Sequence, residues 1–191
     1  MTFQYFLFDT YPGFFLQALP FALIVGVICG IIRYHKDVDI QKGKLIGSVL
    51  FVCYFTGLIC LVLAKDVIAK FWYDLLYHMS DGGNVIRMFA WDCNVIPDFW
   101  THLDGEKIGN FIMFLPFGIL YPFYKEAAYF GKTLLAGIIC IVAIECLQPV
   151  FGRAFDINDI IMNFSGVLIS AAIFSLLQKA IKKKNDEPST K

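Results

Sequence analysis

Long apolar runs separated by short polar clusters make up most of the chain. Residues 14–32, FFLQALPFALIVGVICGII, contain no charged side chain, and the run ends at Arg33, Tyr34, His35 and Lys36. Comparable runs fill residues 45–64, 108–124, 133–152 and 160–181. A helix that crosses the hydrocarbon of a bilayer needs roughly 20 largely apolar residues, so the pattern predicts five transmembrane helices. The third run is short and holds Pro116 and Pro122. Proline removes a backbone donor, but membrane helices accommodate it where neighbouring groups satisfy the freed carbonyl. The first run is longer than a signal-peptide core and no basic residue precedes it, so a retained span is expected, not a cleaved leader.

The stretch 65–107 between the second and third runs is patterned differently. From Asp66 to Met79, the residues Val67, Ile68, Phe71, Trp72, Leu75 and Leu76 fall near one helical face, with Lys70, Asp74 and His78 largely elsewhere. That spacing predicts an amphipathic helix lying in the membrane interface, its aromatics at headgroup level. Ser80, Asp81, Gly82 and Gly83 stop it. Val85 to Trp91 is apolar with one Arg and fits either a strand or a re-entrant piece. The fold class is therefore all-α and polytopic. A single domain over residues 1–181 holds five transmembrane helices, with an interfacial segment between spans two and three. A basic tail, 182–191, follows.

Composition agrees. Hydrophobic residues make up 58% and charged residues 17% of the 191, against about 45–50% and 25% in ordinary soluble domains, and the mean hydropathy is +0.65. This excludes a disordered chain and argues against a soluble enzyme. Sixteen basic residues balance sixteen acidic ones, so no global field attracts nucleic acid. Orientation follows from where Lys and Arg fall. With the N-terminus outside, eleven of the sixteen lie on the inner side, among them Arg33, Lys36, Lys125, Lys132 and Lys182 to Lys184. Only Lys65, Lys70, Arg87, Lys107 and Arg153 lie outside. The C-terminal tail is then cytoplasmic, beside anionic headgroups.

Five of the six cysteines, Cys29, Cys53, Cys60, Cys140 and Cys146, fall within the apolar runs and read as small hydrophobes. Only Cys93 lies in the outer segment, and no Cys/His spacing suggests a metal site or cofactor. His35, His78 and His102 are scattered and read as interfacial side chains.

An ionisable residue inside a span is costly and marks a candidate site. Glu145, between Ile144 and Cys146, is the clear case. Gln148 follows at i+3 on the same face, and Pro149 leaves the Glu145 carbonyl without its helical donor. Folding spans four and five into a hairpin with its tip near Ala154 brings Glu145 and Asn163 to similar depth. Asn110 enters the third span from the same side, and Arg153, Asp156 and Asp159 form a rim. Gly166 and Ser170 have the small-xxx-small spacing that admits a neighbouring helix. A purely structural account also fits the rim: Asp156 as a helix N-cap, Asp159 supporting the helix dipole, and Arg153 on headgroup phosphates.

Several ordered pieces carry a resemblance. They are Asn94-Val-Ile-Pro97, Asn110-Phe-Ile-Met-Phe114-Leu-Pro116-Phe-Gly118, Glu145-Cys-Leu-Gln148, Arg153, and Phe155-Asp156-Ile-Asn-Asp159-Ile-Ile-Met-Asn163-Phe-Ser-Gly166. Together they resemble the VanZ-like family over about residues 90–180, with the first two spans matching only by topology. Asp98 departs from the aromatic residue usual after the Asn-x-x-Pro motif. The resemblance implies a multi-pass protein of the bacterial, mainly Gram-positive, cell membrane. It also implies a link to low-level tolerance of teicoplanin and related glycopeptides, although many members stand outside resistance clusters.

Two functions follow as expectations. One is a non-enzymatic membrane module that binds a lipid-linked or lipidated molecule at the outer leaflet, such as a membrane lipid, a lipoglycopeptide or a cell-wall lipid precursor. The cluster Asn110, Glu145, Gln148, Arg153, Asp156, Asp159 and Asn163 would hold the headgroup. The alternative is an intramembrane enzyme acting on a polyprenyl or phospholipid headgroup, with Glu145 as acid/base and Asp156 with Asp159 on a divalent cation. The absence of a nucleophile constellation favours binding. A transporter has little support, because no internal repeat is evident.

Overall fold

The computed structural model describes residues 2–37, 40–77, 88–89, 92–101, 104–125 and 129–186. Among the described residues, the regular structure is all helix apart from one two-residue strand pair. Its α-helices are α1 (Phe3–Asp9), α2 (Tyr11–Lys36), α3 (Lys42–Val62), α4 (Lys65–Tyr77), α5 (Gly105–Tyr124), α6 (Phe130–Leu147) and α7 (Ile157–Asp186). Among the described residues, four helical stretches are long and apolar enough to cross a membrane: Tyr11–Lys36, Lys42–Val62, Phe130–Phe151 and Ile157–Lys184. The predicted third span forms α5, but Lys107, Asn110 and its tyrosines and prolines dilute its apolar character.

One face of α2 presents Leu23, Ile24, Val27, Ile28 and Ile31, each at least half exposed. Such a face is at home in lipid. Lipid offers helices no hydrophobic drive to associate, so close packing and small residues must hold them together. The structure does this most tightly between α5 and α7, the most extensive helix pair together with α2 and α3. A Cβ on Gly166 would lie 2.3 Å from the Phe111 carbonyl oxygen, and one on Gly118 would lie 2.6 Å from the Ala171 nitrogen. Position 166 thus faces 111–115 and position 118 faces 167–171, so α5 and α7 run parallel. Phe114, Phe117, Ile141 and Val167, all fully buried, close the centre against Phe51 and Leu58 of α3. The Phe51 ring meets Phe117 edge-on at 5.6 Å.

The helix ends carry the polar structure. Asp104 caps α5 by accepting from the Lys107 N–H at 2.9 Å. That bond holds its carboxyl below the ordinary carboxylate range. At the far end of α5, Arg33 of α2 donates to the Tyr124 carbonyl (3.1 Å) and to Ser48 Oγ of α3 (2.7 Å). A cation on the last carbonyls of a helix is favoured by its dipole.

Several details differ from the expectations. The short helix α1 was not anticipated; it turns back on α2 where Gly13 admits the Phe6 carbonyl, and Gln17 donates to the Leu7 carbonyl. Helix α4 lies across this pair, with Trp72 Nε1 donating to the Gln17 carbonyl at 3.0 Å and Phe21 packed edge-on against Phe71. The basic segment Lys182 to Lys184 is helical, because α7 continues to Asp186. The expected stop at Ser80 to Gly83, His78, His102 and all of Val85 to Trp91 except residues 88–89 lie outside the described residues; residues 88–89 are neither helix nor strand.

Candidate functional site

The hairpin between α6 and α7 builds one wall of the site. Proline cannot donate to Glu145, and at Gln148 the α-helix tightens into a 3₁₀ turn, Gln148–Phe151. Gly152 then takes φ 81°, a left-handed conformation that glycine adopts without strain. This lets the Arg153 N–H return to the Gln148 carbonyl at 3.1 Å. The strand Phe155–Asp156 (β2) pairs in parallel with Cys93–Asn94 (β1), aligning Asn94 with Asp156.

Glu145 is fully buried and Gln148 is 2% exposed. With its amide nitrogen turned toward the carboxyl group, the orientation that matches donors to acceptors, Gln148 donates to Glu145 Oε2 (2.9 Å) and to the Ala154 carbonyl (3.3 Å). Glu145 also lies within electrostatic reach of Asp159, Arg153 and Asp156. Arg153 donates to Glu106 Oε1 of α5 (3.3 Å) and to the Val62 carbonyl that ends α3 (3.3 Å). One guanidinium therefore joins α3, α5 and the α6–α7 turn. Asp159 feels Asp156, Glu106 and Arg153, and faces Asn110.

The register of the hairpin is offset from expectation. A Cβ on Gly137 would meet Val167 Cγ1 at 2.8 Å, and counting outward along antiparallel helices sets Glu145 opposite Asp159. Asn163 sits one turn deeper, about 6 Å along the axis. The 3₁₀ turn and the strand after it are unequal arms, so the midpoint of the hairpin is not Ala154.

Asn163 is 2% and Asn110 is 7% exposed. Asn110 Nδ2, although it faces Asp159, makes no hydrogen bond of acceptable geometry, and Asn163 Oδ1 has no partner either. Buried polar atoms are normally satisfied. Here one donor and one acceptor, from two helices packed backbone to backbone, remain open.

Asp156 has a different task. Its Oδ1 accepts from Asn158 N (2.8 Å), Asn158 Nδ2 (2.9 Å) and Asn94 Nδ2 (3.2 Å). Asn158, fully buried, is the residue the sequence reading missed. Its Oδ1 accepts from the Asp98 and Phe99 N–H groups (2.9 and 3.1 Å), and its Nδ2 also reaches the Ile96 carbonyl (3.4 Å). Asn94, Asp156 and Asn158 thus latch the 93–99 segment against β2 and the start of α7. At position 98 the backbone does the bonding, and Asp98 Oδ1 is buried without a partner. Among the described residues no group of three His, Cys, Asp or Glu side chains is arranged to hold a metal ion.

The comparisons with known proteins agree on one relationship. The VanZ/LLP1 family model matches residues 21–178. The chain is similar to Protein VanZ of Enterococcus faecium, at 29% identity over 147 residues that cover 74% of this chain and 81% of the relative. No solved structure matches it.

Proposed function

The chain belongs to the VanZ/LLP1 family, and from that premise we propose a membrane protein that binds the headgroup of a lipid-linked or lipidated molecule at the outer leaflet. Binding of this kind would contribute to tolerance of glycopeptides such as teicoplanin. One observation carries the reading: Asn163 Oδ1, without a partner, and Asn110 Nδ2, turned toward Asp159 without a well-formed hydrogen bond, both sit on buried side chains of the helix pair that carries Asp159. A ligand bearing both a donor and an acceptor would complete them. Arg153, 35% exposed at its side chain, would meet a phosphate or carboxylate from the solvent side, where its planar fork can grip two oxygens.

In this reading α5 is a fifth span, the N-terminus is outside, and the C-terminus is cytoplasmic. Helix α4 lies in the outer interface with Phe71, Leu75 and Leu76, all exposed, toward lipid. Asp156 is kept busy by the latch, so binding fits the cluster better than a two-carboxylate catalytic centre.

The test compares Glu145→Gln and Arg153→Lys with Ile169→Leu, an exposed apolar control on α7, in a sensitive Gram-positive host at matched membrane expression. Glu145→Gln keeps the shape and removes the charge. Arg153→Lys keeps the charge and loses the fork. Wild type and the control should raise the minimum inhibitory concentration of teicoplanin, and both polar variants should lose most of that rise. Polar variants that match wild type would make the cluster structural. A wild type that confers no tolerance would remove the antibiotic from the proposal.

A further inference from the structure

A cleft of about 230 Å³ opens between the C-terminal halves of α5 and α7 and the start of α6. It lies at the opposite end of the bundle from the Glu145 cluster. Asp159 and Ser175 are sixteen residues apart on α7, about 24 Å along the axis, most of the roughly 30 Å thickness of a bilayer core. The cleft is a separate site in the other leaflet.

Its lining changes along its length. Pro122, Phe130 and Phe174 form an apolar floor, and Ser175, Lys179 and Lys182 form one rim. Tyr129 lines the other side, with the Lys132 ammonium held 5.0 Å from its ring centroid. No acidic side chain lines the cleft among the described residues. The floor is made by backbone proximity: Gly118, against Ser170 and Ala171, draws α5 onto α7 and leaves the wider gap beyond it.

We infer that this cleft binds an anionic phospholipid of the inner leaflet, with an acyl chain along Phe130 and Phe174 and the phosphate between Lys179 and Lys182. Charge complementarity commits the site to this occupant. An apolar floor at hydrocarbon depth needs a chain, and two ammonium groups at headgroup depth need an anion. A soluble anion would use only the rim. Binding there would wedge against α5, α6 and α7 together, the helices that also carry Asn110, Glu145 and Asn163. The site stands whether or not the outer cluster binds a ligand.

The full-length protein, reconstituted with equal phosphatidylglycerol and phosphatidylcholine and extracted in mild detergent, tests this by native mass spectrometry. Wild type should retain phosphatidylglycerol in preference. Lys179→Gln with Lys182→Gln should lower the ratio of retained phosphatidylglycerol to phosphatidylcholine by roughly tenfold. Lys183→Gln with Lys184→Gln removes the same charge beside the cleft and should leave the ratio unchanged. Ser175→Phe, which fills the cleft with every lysine in place, should reduce retention of both lipids. Equal retention by wild type, or equal losses in the two lysine pairs, would overturn the site. Displacement of the lipid by glycerol 3-phosphate alone would reduce it to a surface anion site and overturn the lipid assignment.

Discussion

Asn158 makes four side-chain hydrogen bonds, three of them to a segment about sixty residues away in sequence. Replacing it with Ala leaves the Asp98 and Phe99 N–H groups without that acceptor, and each buried unmet group costs about 1–3 kcal/mol. Asn158→Ala should therefore lower the melting temperature in detergent and speed protease cleavage within residues 93–101. Cleavage at the wild-type rate would show that the latch does not hold the segment. The sequence pointed instead to Asp156 and Asp159, because a carboxylate at the edge of an apolar run is conspicuous. A neutral amide in the first turn of a helix carries no such signal. Its role comes from a long-range pairing that no local pattern encodes. Glu145 was legible for the opposite reason: a charge between Ile144 and Cys146 has no place in lipid unless the protein encloses it.

At the scale of elements, helices read well because about twenty apolar residues in a row is a local property. Their register did not, because it depends on turn geometry. The 3₁₀ turn at Gln148–Phe151 offsets Glu145 from Asn163 by one helical turn, although both residues were in view. The β1–β2 pair, two residues a side, was below what alternation can reveal. The small-residue signal did point to a real contact, and it can be tested. Gly166→Ala drives a methyl into the Phe111 carbonyl oxygen, 2.3 Å from where its Cβ would sit. Backbone cannot step aside as a flexible side chain can, so the variant should lose about 1–3 kcal/mol. Gly109→Ala, where a Cβ meets nothing within 4 Å, should instead gain about 0.5–1 kcal/mol from helix propensity. Thermal unfolding in one detergent distinguishes them, and equal effects would show that α5 and α7 are not tightly held at Gly166.

For the whole molecule, the question is whether α5 crosses. Its hydropathy alone leaves it outside the four clear candidates, but three contacts support a crossing. Gly118 and Gly166 press α5 along α7 in parallel, so the two share depth. Arg33, at the end of α2, reaches the last carbonyl of α5. Arg153 joins the start of α5 to the end of α3 through Glu106 and Val62. The end of α2 and the end of α5 thus share one side, and the end of α3, the start of α5 and the α6–α7 turn share the other. Five crossings put the two termini on opposite sides; four would put them together. In a background freed of native cysteines, Ser80→Cys should react with a membrane-impermeant maleimide on intact cells, and Ser189→Cys should react only after permeabilisation. Labelling at both sites in intact cells would mean that α5 does not cross. Labelling at Ser189→Cys alone would invert the molecule, placing the Glu145 cluster inside and the lysine-rimmed cleft outside.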